Sequence, residues 1–120
     1  MNVKELLISI LSNFGYPVIL QGTLSDDESY PDSFFTFWNN SSDDIIHYDN
    51  DAAAFEWDFD VNFYSVNPTL VNTMLIQAKT ALKQAGFIVG GKGHDVASDE
   101  ITHTGRGIDV LFREENERGV

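Results

Sequence analysis

The chain of 120 residues contains 19 acidic and 7 basic residues, a formal net charge of −12, and no cysteine. This length predicts a single domain over residues 1–120, with a polar, frayed end at about 115–120, and the missing thiols exclude disulfides and thiolate metal sites. Because Lys and Arg form no cluster, we expect neither sequence-specific binding to DNA or RNA nor docking to anionic lipid.

A helix and a strand are predicted at the start of the chain. Apolar residues recur at helical spacing from Val3 to Phe14, and Gly15 and Pro17 follow where such a helix would end. Tyr16 to Leu24 is typical of a strand. The first residues lack the pattern of a signal peptide, and no apolar run in the chain reaches the ~20 residues that span a bilayer.

The stretch from Ser33 to Asn39 predicts a second strand with aromatic side chains on both faces. Such a strand is either covered on both sides or lies at an interface. Polar residues from Asn40 to Asp44 favour a turn. Ile45 to Tyr48 is interpreted as a short strand, and Asp49 to Asp51 as a second turn.

The middle of the chain carries the clearest pattern. Apolar and polar residues alternate from Phe55 to Tyr64, as in a strand with one buried face. Asn67 and Pro68 then favour a helix start, and apolar residues recur at helical spacing until Gly86, the expected left-handed residue after the helix. This strand and helix therefore form the predicted centre of the fold.

Two further strands are predicted, at Phe87 to Val89 and at Thr102 to Glu114, whereas the polar segment from His94 to Glu100 stays unassigned. The order of elements predicts an α+β two-layer sandwich. In this fold, a mostly antiparallel sheet of four to five strands carries two helices on one face. The opposite face would then expose aromatic side chains that need a cover.

The alternation also places Glu56, Asp58 and Asp60 on one face of the central strand, with roughly 7 Å between successive carboxylates. Such oxygen ligands could bind Mg²⁺ or Ca²⁺, and a divalent-metal enzyme that uses Asp58 and Asp60 is one hypothesis. However, the same spacing follows automatically from a half-buried strand. We therefore interpret these carboxylates as solvent-facing and predict no metal site, no cofactor and no catalytic residue.

The three histidines, His47, His94 and His103, share no metal-ligand spacing. A hydrolase triad that combined one of them with Ser98 would need a nucleophile elbow, and the chain has no GxSxG sequence. We interpret these histidines as polar loop residues and do not expect an enzyme.

Glycines surround two basic residues. The segment Gly90 to Gly93 contains Lys92 but lacks the GxxxxGK[ST] pattern of a phosphate loop, which favours a flexible hairpin or an assembly loop. Arg106 lies between two glycines and could contact a carboxylate of another subunit in bidentate fashion, or simply mark a bulged strand start. The predicted interface residues are aromatic or basic: Phe35, Phe37, Trp38, Lys92 and Arg106.

Three segments resemble small structural proteins from the tail modules of long-tailed bacteriophages and prophages: Phe55 to Ser65, the helix that starts at Asn67-Pro68, and Thr104 to Leu111. The group resembled is the tail terminator proteins, also called tail completion or tail-to-head joining proteins. The order of elements is similar over roughly the whole chain, but the first third carries no matching residue pattern.

The resemblance implies a homo-oligomeric ring, usually a hexamer, at the head-proximal end of the tail tube. Expected partners are further copies of the chain, the tail tube and head-connector proteins. The expected location is the virion tail, and the bacterial host cytoplasm during assembly. The net charge is in keeping with a channel through which DNA slides without sticking, since carboxylates repel phosphates.

An acidic DNA-mimic inhibitor of a DNA-binding protein is the alternative function, with acidic residues at Asp26 to Glu28, Asp43, Asp44 and Glu56 to Asp60. It predicts tight, salt-sensitive capture of a basic protein. A tail terminator predicts instead a concentration-dependent oligomer that binds tail tubes. A simple contribution to solubility would also explain the charge.

Overall fold

The computed structural model describes residues 2–21, 23, 30–48, 51–91, 93–98 and 100–115, and only the backbone of residues 41–48, 51–54 and 115. Its elements, in chain order, are α1 (Val3–Ser12), β1 (Val18–Leu20), β2 (Ser33–Tyr48), β3 (Asp51–Ser65), α2 (Pro68–Gln84), β4 (Ile88–Val89), β5 (His94–Val96) and β6 (Thr104–Glu115). The predicted α+β class is confirmed, although the sheet has six strands and not four to five.

The sheet has the strand order β1-β2-β3-β6-β4, and β5 also pairs with β6. β1 runs parallel to β2, and every other pairing of the described strands is antiparallel. β4 pairs with Val110 and Leu111, whereas β5 pairs with Gly105 to Gly107. These two short strands therefore form one interrupted edge strand along β6.

Local signals explain both helices. At the start of α1, the Asn2 side chain accepts from the Glu5 N–H at 2.8 Å, and the Glu5 carboxylate accepts from the Asn2 N–H at 3.3 Å. At the start of α2, Asn67 accepts from the first-turn N–H groups and Pro68 occupies the first turn. Gly86 follows α2 with φ +100°, as predicted.

The core lies between the two helices and one face of the sheet, which confirms that both helices pack on the same side. Phe35 and Phe63 face each other across β2 and β3 with ring centroids 4.7 Å apart, and neither side chain is exposed. The helices contribute Val3, Leu7, Leu11, Val71, Met74, Leu75, Ala78 and Leu82, and the strands contribute Phe35, Phe37, Phe59, Val61, Phe63, Val89, Ile108 and Val110.

The predicted turn from Asn40 to Asp44 is wrong, because β2 continues through it to Tyr48. Each of these polar residues after Asn40 has a partner on β3, for example Asp44 opposite Phe55. The register of the pairing shifts after Asn39 and after Asp44, as at a β-bulge. Cross-strand pairing thus overrides local turn preference here.

Other boundaries also differ from the predictions. The first strand spans only Val18–Leu20, and α1 ends at Ser12, before the predicted Phe14. β5 forms inside the segment that the sequence left unassigned. Residues 49, 50 and 116–120, which include most of the second predicted turn and the predicted frayed end, lie outside the described residues.

Candidate functional site

The sheet face opposite the helices is here called the open face. At one of its ends, aromatic side chains of the same chain pack over it. Phe34 is only 2% exposed because Tyr30, Tyr64 and His103 surround it, with ring centroids 5.3 to 5.9 Å from its own. Part of the aromatic surface expected on this face is therefore covered from within the chain.

His103 is a structural residue of this aromatic end. Its Nε2 lies 2.8 Å from the Pro31 carbonyl oxygen, and its Nδ1 lies 3.0 Å from the Thr102 hydroxyl. Since a carbonyl can only accept, Nε2 carries the proton and donates it to Pro31. The Thr102 hydroxyl then donates to Nδ1, so both ring nitrogens of this buried side chain are satisfied.

The other residues of a hypothetical hydrolase triad are not assembled around His103. The Ser98 hydroxyl accepts from the Glu100 N–H at 3.1 Å, in a local turn. His94 is exposed on β5, opposite Gly107. The side chain of His47 lies outside the described residues.

The opposite end of the open face carries negative charge, and no described element packs over it. We call it the acidic face, formed by Trp38, Asp58, Asp60 and Asp109. The register places Asp60 opposite Trp38 on β2 and opposite Asp109 on β6, so the three side chains point to the same side. Trp38 is 47% exposed. Among the described residues, neither Asp60 nor Asp109 forms an ion pair.

The predicted row of Glu56, Asp58 and Asp60 is thus present on one sheet face, but its members have different surroundings. Arg113 donates from Nε to Glu56 at 3.3 Å, and Asn40 donates to Asp58 at 3.5 Å. Within the described part of the chain, no group of three His, Asp or Glu side chains is arranged to hold a metal ion.

A second surface lies on the helix side of the sheet, between α2 and the interrupted edge strand. This basic groove has a volume of about 600 Å³. α2 contributes two lysines and no acidic residue over its 17 positions, although the chain as a whole has 19 acidic residues. The groove is lined by Asn72, Leu75, Ile76, Lys79, Thr80, Lys83, Gly91, Arg106 and Ile108.

Hydrogen bonds to β5 and to the residues just before it position two of the three cations of the groove. The Lys79 ammonium donates to the Gly91 carbonyl. The Arg106 guanidinium donates to Asp95 at 2.8 Å and to the Gly93 carbonyl at 3.1 Å. Lys83 lies in the last turn of α2. The cations therefore line a groove that also contains apolar side chains, including the buried Leu75 and Ile108 and the 64% exposed Ile76.

The predicted interface residues differ in where the structure places them. Phe35 and Phe37 are core residues with exposures of 0% and 6%, so their side chains are not available to another subunit, and the expectation for them is corrected. Their burial follows from the register, which places them opposite Phe63 and Val61 under the helices. Trp38 is exposed on the other face.

The two predicted cations also differ. The Arg106 guanidinium binds Asp95 of its own chain, and a contact with a carboxylate of another subunit would have to be made in addition. Lys92 lies outside the described residues. The sequence reasoning missed Lys79, Lys83 and Ile76, although one signal was available, the absence of acidic residues from the second helix.

Comparison of the chain with protein-family models and with curated proteins gave no match. No helix in the described part of the chain combines the length and the apolar character needed to cross a membrane.

Proposed function

We propose that this protein is a structural subunit of a phage or prophage virion, a tail terminator that forms a ring at the head-proximal end of the tail tube. The observation that carries the proposal is the acidic face. Trp38 is 47% exposed on this face, and Trp is among the residues enriched at protein–protein contacts. With a net charge of −12 on each subunit, a ring of such subunits repels phosphates, which suits a channel through which DNA passes.

The segments that resemble tail terminators support the proposal because they adjoin one another in space. Phe55 to Ser65 belongs to β3, and Thr104 to Leu111 belongs to β6. These two strands pair without interruption from Ala54–Glu115 to Ser65–Thr104. The third segment is α2, which packs on both strands through the core. The resemblance thus follows the structural centre of the domain.

In this proposal the subunit performs no catalysis and holds no cofactor. Its partners are further copies of itself, the tail tube and the head connector. It resides in the virion tail, and in the bacterial cytoplasm during assembly.

Light scattering of the purified protein, alone and mixed with tail tubes, tests the proposal. A ring is expected to appear with rising protein concentration, with a mass near six subunits, and to bind the ends of tail tubes. A protein that stays monomeric at high concentration and does not bind tail tubes would overturn the proposal.

One observation favours the alternative, an acidic DNA-mimic inhibitor. Asp60 and Asp109 lie directly opposite each other on the acidic face, an arrangement that costs stability and so suggests a function for the paired charges. Such an inhibitor captures a basic DNA-binding protein, and added salt weakens the capture. A pull-down from host lysate at low and high salt that recovers no DNA-binding protein would exclude it.

A further inference from the structure

We propose that the basic groove of one copy binds the acidic face of the next copy in the ring. This inference rests on the proposed function, ring assembly, and adds the two surfaces that form the contact. The groove supplies Lys79, Lys83 and Arg106, and the acidic face supplies the carboxylates and Trp38.

Charge is the first reason for this pairing. With a net charge of −12, copies of the chain repel each other in most orientations. Three of the seven basic residues line one groove, and although Arg106 is already paired with Asp95, Lys79 and Lys83 form no ion pair among the described residues, so a carboxylate of another copy gains most beside these two lysines. Asp60 and Asp109, which form no ion pair within the described part of the chain, provide the complementary charge.

Each surface also exposes one large apolar side chain among its charges. Ile76 is 64% exposed in the groove, and Trp38 is 47% exposed on the acidic face. Interfaces commonly bury an aromatic anchor at the centre and keep polar groups at the rim. A Trp38 side chain that enters a groove of about 600 Å³ would place the carboxylates beside the lysines.

The positions of the two surfaces explain why the contact builds a ring. The groove lies on the helix side of the sheet and the acidic face lies on the other side. A copy can therefore bind one neighbour through each surface, which is a heterologous, head-to-tail contact. Such contacts form a ring when the rotation between neighbours closes. A two-fold dimer through the acidic face would instead oppose carboxylates to carboxylates.

The groove is also preorganised. The carbonyls of Gly91 and Gly93, which lie between β4 and β5, accept from Lys79 and Arg106, so these two cations already have defined positions. Binding then immobilises fewer side chains, which lowers the entropic cost of the contact.

Charge reversal on each surface tests the contact. One variant carries Lys79→Glu and Lys83→Glu, and the other carries Asp60→Lys and Asp109→Lys. Each variant alone should be monomeric at concentrations where the wild type forms a ring, because like charges then meet. An equimolar mixture should assemble again, since each altered surface finds an opposite charge on the other variant. A chain with all four changes should also assemble.

Lys4→Glu and Glu100→Lys serve as matched controls, because both residues are exposed and belong to neither surface. Both controls should assemble like the wild type. Circular dichroism of every variant shows whether it is folded, and the mixture and the fourfold variant distinguish a lost contact from a lost fold.

Two outcomes overturn the groove–face contact and leave ring assembly standing: rings that survive either reversal, or folded variants that do not reassemble when mixed. If the variant with the reversed groove still forms rings but no longer binds tail tubes, the groove binds a tail protein and not a second copy. A wild-type protein that is monomeric with and without tail tubes overturns the proposed function as well.

Discussion

Replacing Gly93 by alanine should destabilise the protein strongly, because this residue has a left-handed backbone conformation and no room for a side chain. Gly93 has φ +85°, a left-handed conformation that side chains disfavour. A Cβ atom there would lie 2.6 Å from the Gly107 carbonyl oxygen and 3.2 Å from side-chain atoms of Leu75 and Ile108. The backbone of Gly107 cannot easily retreat, since it pairs with His94 on β5.

Two costs add up at this position. The left-handed backbone costs alanine about 1–2 kcal/mol, and relief of the overlap by shifts of packed neighbours costs about 1–3 kcal/mol. The free energy of unfolding should therefore fall by about 2–5 kcal/mol. At about 4 °C per kcal/mol for a chain of this size, the Tm should fall by about 8–20 °C. Thermal unfolding followed by circular dichroism measures the shift.

Gly90→Ala is the matched control for this variant. Gly90 lies shortly before Gly93 in the chain and has no positive φ, and a Cβ added to it would meet no described atom within 4 Å. Its replacement should change the free energy of unfolding by less than about 0.5 kcal/mol. Equal Tm shifts for the two variants would refute the described conformation and packing of Gly93.

Three further predictions concern the core and the open face. Phe35→Ala should lower the free energy of unfolding by about 3–5 kcal/mol, whereas Trp38→Ala should change it by less than about 1 kcal/mol and weaken self-association; urea unfolding and light scattering measure the two effects. His103→Ala removes the donor to the Pro31 carbonyl and should cost about 1–3 kcal/mol in urea unfolding. Asp109→Asn removes the repulsion from Asp60 and should stabilise the monomer by about 0.2–1 kcal/mol at low salt, with a smaller gain in added NaCl.

Each of these predictions can fail clearly. Equal losses of stability for Phe35→Ala and Trp38→Ala would contradict the assignment of the two faces of β2. An unchanged urea midpoint for His103→Ala would mean that the hydrogen bond to Pro31 contributes nothing. A salt-independent gain, or a loss, for Asp109→Asn would rule out repulsion across β3 and β6 as the cause.

The elements with strong local signals were predictable. α1, α2 and β3 each carry a regular apolar period and form where that period runs, although α1 ends two residues before the predicted Phe14 and β3 begins at Asp51, before the predicted Phe55. The far half of β2 was not predictable, because its polar residues are held in a strand by pairing with β3. β5 is three residues long and exists through its pairing with β6, which no local pattern reveals.

The two surfaces depend still more on tertiary structure. Aromatic residues occupy both faces of the first half of β2, so period-2 alternation could not decide that Phe35 lies inside and Trp38 outside. The register of β3 against β6 brings Asp109 opposite Asp60 from a distant part of the sequence. Packing of α2 against the edge strand likewise brings Lys79 near Arg106.

The molar mass of an equimolar mixture of the two charge-reversed variants, measured by light scattering, tests the head-to-tail contact most directly. We expect each variant to be monomeric and the mixture to reach the mass of the wild-type ring. Folded variants that remain monomeric together, under conditions where the wild type forms a ring, would contradict the contact.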